Sequence, residues 1–140
     1  KSPLMSLETV ADLFQKLGSR EYPELSRAFN VMCAHTEMVG GTNHFDSIFI
    51  DALAGRGITK IGGEAIRGIT IKKPGGGCIG IALKVLDGNF RALPIATMKL
   101  LEHLQLLSDD ELKKLDKFRT KILKNHNQLE IGRIEAVVDA

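Results

Sequence analysis

Lys60 closes a short apolar run and is followed, one residue on, by Gly62-Gly63-Glu64. A lysine ahead of a glycine pair at a sheet edge is one way to build an amide-cleaving site. The glycines expose backbone N–H groups that can stabilise an oxyanion, and the ammonium supplies positive charge and a proton route. Glycine also lets a substrate approach the backbone closely. The competing reading of the same residues is a strand end, a tight connection and a surface salt bridge. His35 lies at a helix end, where it is either a C-terminal residue favoured by the helix dipole or a substrate contact. No Ser-x-x-Lys nucleophile pair occurs in the 140 residues, so the chain reads as part of an acyl-transfer site rather than all of one.

Other patterns carry less chemistry. Gly75-Gly76-Gly77-Cys78-Ile79-Gly80 matches G-x-G-x-x-G, but a dinucleotide loop must lead from a strand into a helix. This one leads into Ile81–Val85, which reads as strand, so the spacing predicts a hairpin loop. Cys33 and Cys78 have neither metal nor redox spacing and read as reduced, small packing residues, with a disulfide between them as the alternative. His44 reads as loop surface at a helix start, and His103 and His126 as exposed helix positions. No set of His, Cys and carboxylate residues has ligand spacing, so neither a metal nor another cofactor is expected.

The elements that must position these residues follow from periodicity. Ser6 caps a helix over 7–17 stopped by Gly18, Pro23 opens a second running to about His35, and 38–43 reads as a loop. A third helix covers 45–54 and closes at Gly55. The middle reads as sheet, with strands at 58–61, 65–72 and 78–86, and Asp87-Gly88 turns the chain so that Phe90-Arg91-Ala92 returns as a short pairing segment. A helix over 95–107 and an amphipathic cover helix over 109–124, with a capping box at Ser108 and Glu111, precede a final strand at 129–138. The fold class is α+β, an antiparallel sheet packed against helices.

Composition sets bounds. The length predicts a single domain over 1–140 that buries roughly two-thirds of its unfolded surface. Apolar residues at 44% and charged residues at 26% are ordinary globular values. A net charge of +2 argues against a nucleic-acid partner, and the apolar runs break well before the ~18 residues of a membrane span. A cytoplasmic setting is expected, since no signal peptide precedes the first helix.

Several of these stretches together resemble the asparaginase II family. Its Met-x-x-His-Pro-Glu-Met-Val-Gly stretch is similar to Met32–Gly40, and a Phe-Asp segment is matched by Phe45-Asp46. A Lys-Gly-Gly-Ala-Glu-Gly element is similar to Lys60–Ala65, and Gly-Ile-Ala-Leu-Lys-x-x-Asp-Gly-Asn-x-Arg-Ala stands at Gly80–Ala92. A closing Asn and Val-Gly-x-Ile resemble Asn127 and Ile131–Ile134. The departures are Thr36 for proline, Ile61 for glycine, Gly63 for alanine and Ala65 for glycine, and Ile61 and Ala65 narrow the backbone freedom beside any oxyanion site.

The resemblance implies a serine β-lactamase-like or glutaminase-like fold, of which this chain is the C-terminal portion. It implies hydrolysis of L-asparagine through an acyl-enzyme, with the serine and the cysteine-lysine metal-binding elements of some members lying upstream. Lys60 would assist proton transfer or hold the substrate carboxylate. Gly62 and Gly63 would line the oxyanion side, with Glu64 and His35 near the substrate. Association with itself or with an upstream piece is expected. Two alternatives remain: a non-catalytic binding or assembly module, and a related serine acyl-transfer enzyme acting on glutamine or a β-lactam.

Overall fold

A three-stranded antiparallel sheet, β1 (Gly57–Gly62), β2 (Ile66–Lys72) and β3 (Cys78–Lys84), lies in the order β1-β2-β3 and is covered by helices on both faces. The structure is a computed structural model and describes residues 4–138. Four helices precede the sheet: α1 (Leu7–Gly18), α2 (Pro23–Ala34), α3 (Thr36–Gly40) and α4 (Phe45–Leu53). Two follow it, α5 (Leu93–His103) and α6 (Asp109–Leu115), and then a separate hairpin of β4 (Lys121–Lys124) and β5 (Glu130–Ile134). The class is the expected α+β.

The register shows how the sheet divides its faces. Thr59, Ile69 and Ile81 stand opposite one another across the three strands, as do Ile61, Arg67 and Leu83, so these residues share one face. That face meets Phe45, Phe49 and Leu53 of α4, Met98 and Leu101 of α5 and Leu115 of α6 in the main core. The other face carries Lys60, Gly68, Thr70, Gly80 and Lys84. Here α1 lies directly on β2 and β3, because the glycines leave room for it. A Cβ at Gly68 would run into the Phe14 ring, and one at Gly80 would meet the backbone of Ala11 and Gln15. A smaller core of Phe29, Ile50 and Ile58 closes the β1 side. Being central and covered twice, β2 is buried at every residue from Arg67 to Ile71.

Four expectations need correction. Residues 38–43 are not all loop, because α3 occupies Thr36–Gly40, held by Gly41 N–H donating to the Glu37 carbonyl. Gly40 is there for packing: a Cβ would stand 2.7 Å from the Ser47 nitrogen of α4. Phe90-Arg91-Ala92 does not pair as a strand. The Asp87 and Asn89 side chains accept from the Asn89 and Arg91 N–H groups, at 2.9 and 3.0 Å, and these turns feed the chain into α5. That helix ends at His103, short of the expected Leu107. Helix 109–124 stops at Leu115, a 3₁₀ turn spans Asp116–Phe118, and Lys121–Lys124 pairs with the final strand. The β-branched pair Thr120 and Ile122, and a turn in which Asn125 Oδ1 accepts from Asn127 and Leu129, favour the hairpin over the helical period. The glycine-rich segment is the expected hairpin loop, with positive φ at Gly75, Gly76 and Gly77.

One clasp ties both ends of this frame together. Arg56, just ahead of β1, donates from Nε and Nη2 to the two Glu111 carboxylate oxygens at 2.9 and 2.6 Å, and also to the Lys72 and Leu106 carbonyls. Glu111 also completes the expected capping box with Ser108. Burial pushes the Glu111 carboxyl up, but the Arg56 and Ser108 hydrogen bonds outweigh it and hold the group below its ordinary value. A lowered folded value places the stabilisation above the unfolded carboxylate range and removes it as pH falls. Urea midpoints should therefore drop more steeply for the wild type than for Glu111→Gln as pH falls below about 4.5; parallel curves would disprove the clasp. The glycine contacts give a second expectation. Gly80→Ala, which meets backbone, should cost about 3 kcal/mol or more, and Gly68→Ala, which meets a ring that can shift, should cost less. Urea denaturation of the two variants checks the order, and the reverse ranking would count against rigid contact of α1 with β3.

Candidate functional site

The local sequence of α4 explains where the site's acid sits. Phe45, Phe49 and Leu53 turn toward the sheet, and Asp46, in the first turn, comes with them and is only 2% exposed. A buried carboxylate needs donors. It receives the Arg67 guanidinium at 2.5 Å on Oδ1 and the Ile61 backbone N–H at 2.8 Å on Oδ2. Arg67 is 1% exposed on the central strand, donates also to Thr59 Oγ1 at 3.0 Å, and lies 4.2 Å over the Phe45 ring. Burial pulls the Arg67 guanidinium below its ordinary value, and Asp46 acts in the opposite direction. Its Nε has no hydrogen-bond partner.

Lys60 stands at the outer edge of this pair. Its half-exposed side chain places Nζ 3.9 Å from Asp46 Oδ2 and donates to the Ile61 carbonyl at 3.1 Å. Since Asp46 takes the outward Ile61 N–H, the antiparallel alternation turns the Gly62 N–H inward toward its partner Ile66 and makes Gly63 the next outward position. Space around a Gly63 Cβ is open, whereas one at Gly62 would stand 2.6 Å from Ile66 Cγ2.

The turn that follows is strained and anchored. Glu64 and Ala65 both have left-handed backbones, at φ 54° and 56°, a conformation that costs a non-glycine residue about 1 kcal/mol or more. Lys84 of β3 donates to the Glu64 carbonyl, and the Val85 N–H donates to Ala65 O at 3.0 Å. The structure thus brings Lys60, Gly62 and Gly63 to one end of β1, with the exposed Glu64 in the turn beyond. His35 caps α2, and no hydrogen bond joins its side chain to Lys60 or Glu64.

Sequence reasoning alone misses two residues of this site. Asp46 stands in the Phe-Asp segment with no role attached to it, and Arg67 belongs to none of the motifs. A partial signal is present: Arg67 is the lone charge of the otherwise core-bound run Ile66–Ile71, whereas Phe45–Leu53 carries both Asp46 and Asp51, and only the fold tells the buried Asp46 from the exposed Asp51. Asp46 and Arg67 also line a cleft of about 280 Å³ with His44, Ile61, Phe90, Pro94 and Phe118, so His44 belongs to a cleft wall; Lys60, Gly62, Gly63, Glu64 and His35 do not line it. Both cysteines are free and half-buried, Cys33 in the smaller core with its thiol pushed up by burial against the pull of Lys72, and Cys78 donating to Gln15 O. Among the described residues no group of three or more His, Cys, Asp or Glu side chains could hold a metal ion. No helix among them is long and apolar enough to cross a membrane.

The frame is α+β, with a lysine and two glycines at the end of an edge strand, and comparison with known families identifies the family. The family model described as L-asparaginase II matches residues 2–136, and the chain belongs to that family. No curated protein matches it.

The pair and the lysine should separate cleanly in stability. Asp46→Asn leaves the Arg67 guanidinium buried without a counter-charge and should cost about 3–5 kcal/mol, whereas Lys60→Met should stay within about 0.5 kcal/mol of the wild type. Urea unfolding of both variants decides it. A near-neutral Asp46→Asn would mean that Arg67 finds solvent and that the pair does not organise the site.

Proposed function

We propose that the chain supplies part of an L-asparagine amidohydrolase, converting L-asparagine and water to L-aspartate and ammonia through an acyl-enzyme. The observation that carries this reading is the L-asparaginase II match across residues 2–136. The nucleophilic serine lies outside these residues, which contain no Ser-x-x-Lys pair. Its oxygen attacks the side-chain amide carbon, the oxyanion forms, and ammonia leaves with a proton as the ester is made. Water then attacks the ester carbon, and the serine oxygen departs with aspartate released.

Lys60 is the residue of this chain best placed for that chemistry. Unlike the buried Arg67 it has exposed surface, and the Asp46 carboxylate behind it draws the ammonium to one side of the strand. From there it either moves the proton to the leaving nitrogen or pairs with the substrate's α-carboxylate. Gly63, the outward and unobstructed position, suits an oxyanion donor better than Gly62. Ile61 is not available for that role, because Asp46 already accepts its N–H.

Lys60→Ala in the complete enzyme should cut kcat/KM by about 10²–10⁴-fold, the range of a lost proton-transfer group. Steady-state ammonia release separates the two roles: a fall in kcat marks the proton route, and a rise in KM with kcat preserved marks carboxylate pairing. Near-normal rates would sink the assignment of Lys60 altogether.

A further inference from the structure

The cleft that reaches Asp46 and Arg67 does not end there. Across Phe90, Pro94 and Phe118, which line both, it continues into a groove of about 440 Å³. The groove has an apolar floor, to which buried Ile95 contributes, and a rim of Arg91, Lys117 and Lys121. None of these three cations has a salt-bridge partner among the described residues, and no carboxylate among them lines the groove. Lys117 also lines an adjoining hollow with Glu102, Asp116 and Glu135, so Arg91 and Lys121 carry most of the groove's unopposed charge. Exposed cations around an apolar floor are the complement of an anion with an apolar body.

Two features at the inner end point the same way. The 11-residue helix α5 starts beside the groove with no acidic residue in its first turn, so no carboxylate opposes an anion there, although the Phe90 carbonyl already takes the Leu93 N–H. The buried Arg67 guanidinium lines the inner cleft with Nε unpartnered, stacked on Phe45, which in turn meets Phe118 edge-on at 4.8 Å between centroids. The aromatic floor therefore runs from the open groove to a buried cationic group.

We infer that this groove is a binding site for a small carboxylate carrying an apolar or aromatic body, distinct from the Lys60 position. The carboxylate lies among the rim cations and the start of α5, and the body lies over Phe90 and Phe118. The size suits a small molecule, since the space of the cleft and groove falls within the roughly 300–1,000 Å³ typical of such sites. Asparagine and aspartate, polar at both ends, would leave the apolar floor unused.

The test is an amide NMR titration of the protein with phenylacetate, with phenylacetamide and hexaglutamate as comparison probes. Phenylacetate should saturate and shift the amides of Phe90–Ile95 and Phe118–Lys121, binding about tenfold tighter than phenylacetamide. The Lys117→Glu, Lys121→Glu double variant should weaken it by a similar factor while the rest of the spectrum is kept. Arg91→Gln is the second variant should the first lose its spectrum. Equal binding of acid and amide would reduce the groove to a hydrophobic patch and overturn the assignment. Hexaglutamate binding without phenylacetate binding would make it a docking face for an acidic polypeptide, and that too would overturn it.

Discussion

A guanidinium buried in the middle of a sheet is the constraint on which the rest of this structure turns. Arg67 occupies the central strand, is 1% exposed, and must be compensated from within. Asp46 does this, and doing so fixes more than charge. Its second oxygen takes the outward N–H of Ile61, so the same carboxylate that neutralises β2 also caps the exposed edge of β1. The start of α4 is thereby locked to two strands at once. An edge strand ordinarily presents unpaired N–H groups to other chains, and in this sheet one of them is consumed by a side chain.

That lock makes sense of the contrast around Lys60. The residues behind it are hydrogen-bonded on several sides: a buried pair, the Thr59 hydroxyl passing the hydrogen bond on to the Gly68 carbonyl, and a turn held by Lys84 from the far strand. The lysine itself donates only to the Ile61 carbonyl and stands at a distance from Asp46 that is longer than a direct hydrogen bond. A half-exposed cation beside a buried ion pair suits a group that changes partners during a reaction. The left-handed Glu64 and Ala65 fit the same picture, since such backbone strain persists only where neighbouring contacts enforce it.

How much of the fold and site is legible in the sequence depends on range. Features set by near neighbours are readable: the Ser6 cap of α1, the capping box at Ser108 and Glu111, the glycine hairpin between β2 and β3, and the strands on either side of it. Features set by distant contacts are not. Gly40 looks like a loop glycine because its reason, Ser47 pressed against it, lies across the α3–α4 packing. Lys121–Lys124 carries a helical period continuous with α6, and only pairing with Glu130–Ile134 makes it a strand. The candidate site shows the same divide. Lys60 and its glycines are contiguous and can be read directly, while Asp46 and Arg67 are separated by 21 positions and acquire meaning only as a pair.

Asp46 and Arg67 also separate the two surfaces, the Lys60 edge and the cationic groove, to which functions are assigned. Lys60 approaches Asp46 from the β1 edge, and the groove approaches Arg67 across the face that carries Phe45 and Phe118. Because Asp46 already supplies the counter-charge of Arg67, neither surface needs the other to be occupied. Yet any ligand that drew the guanidinium toward Phe118 would lengthen its bond to Asp46 and strengthen the carboxylate's hold on Lys60. Coupling of that kind is reciprocal, so a substrate engaging Lys60 would loosen Asp46 from it and tighten Asp46 on Arg67. The sign is therefore set by geometry alone: two cations compete for one carboxylate, and a ligand that takes either of them leaves the carboxylate to the other.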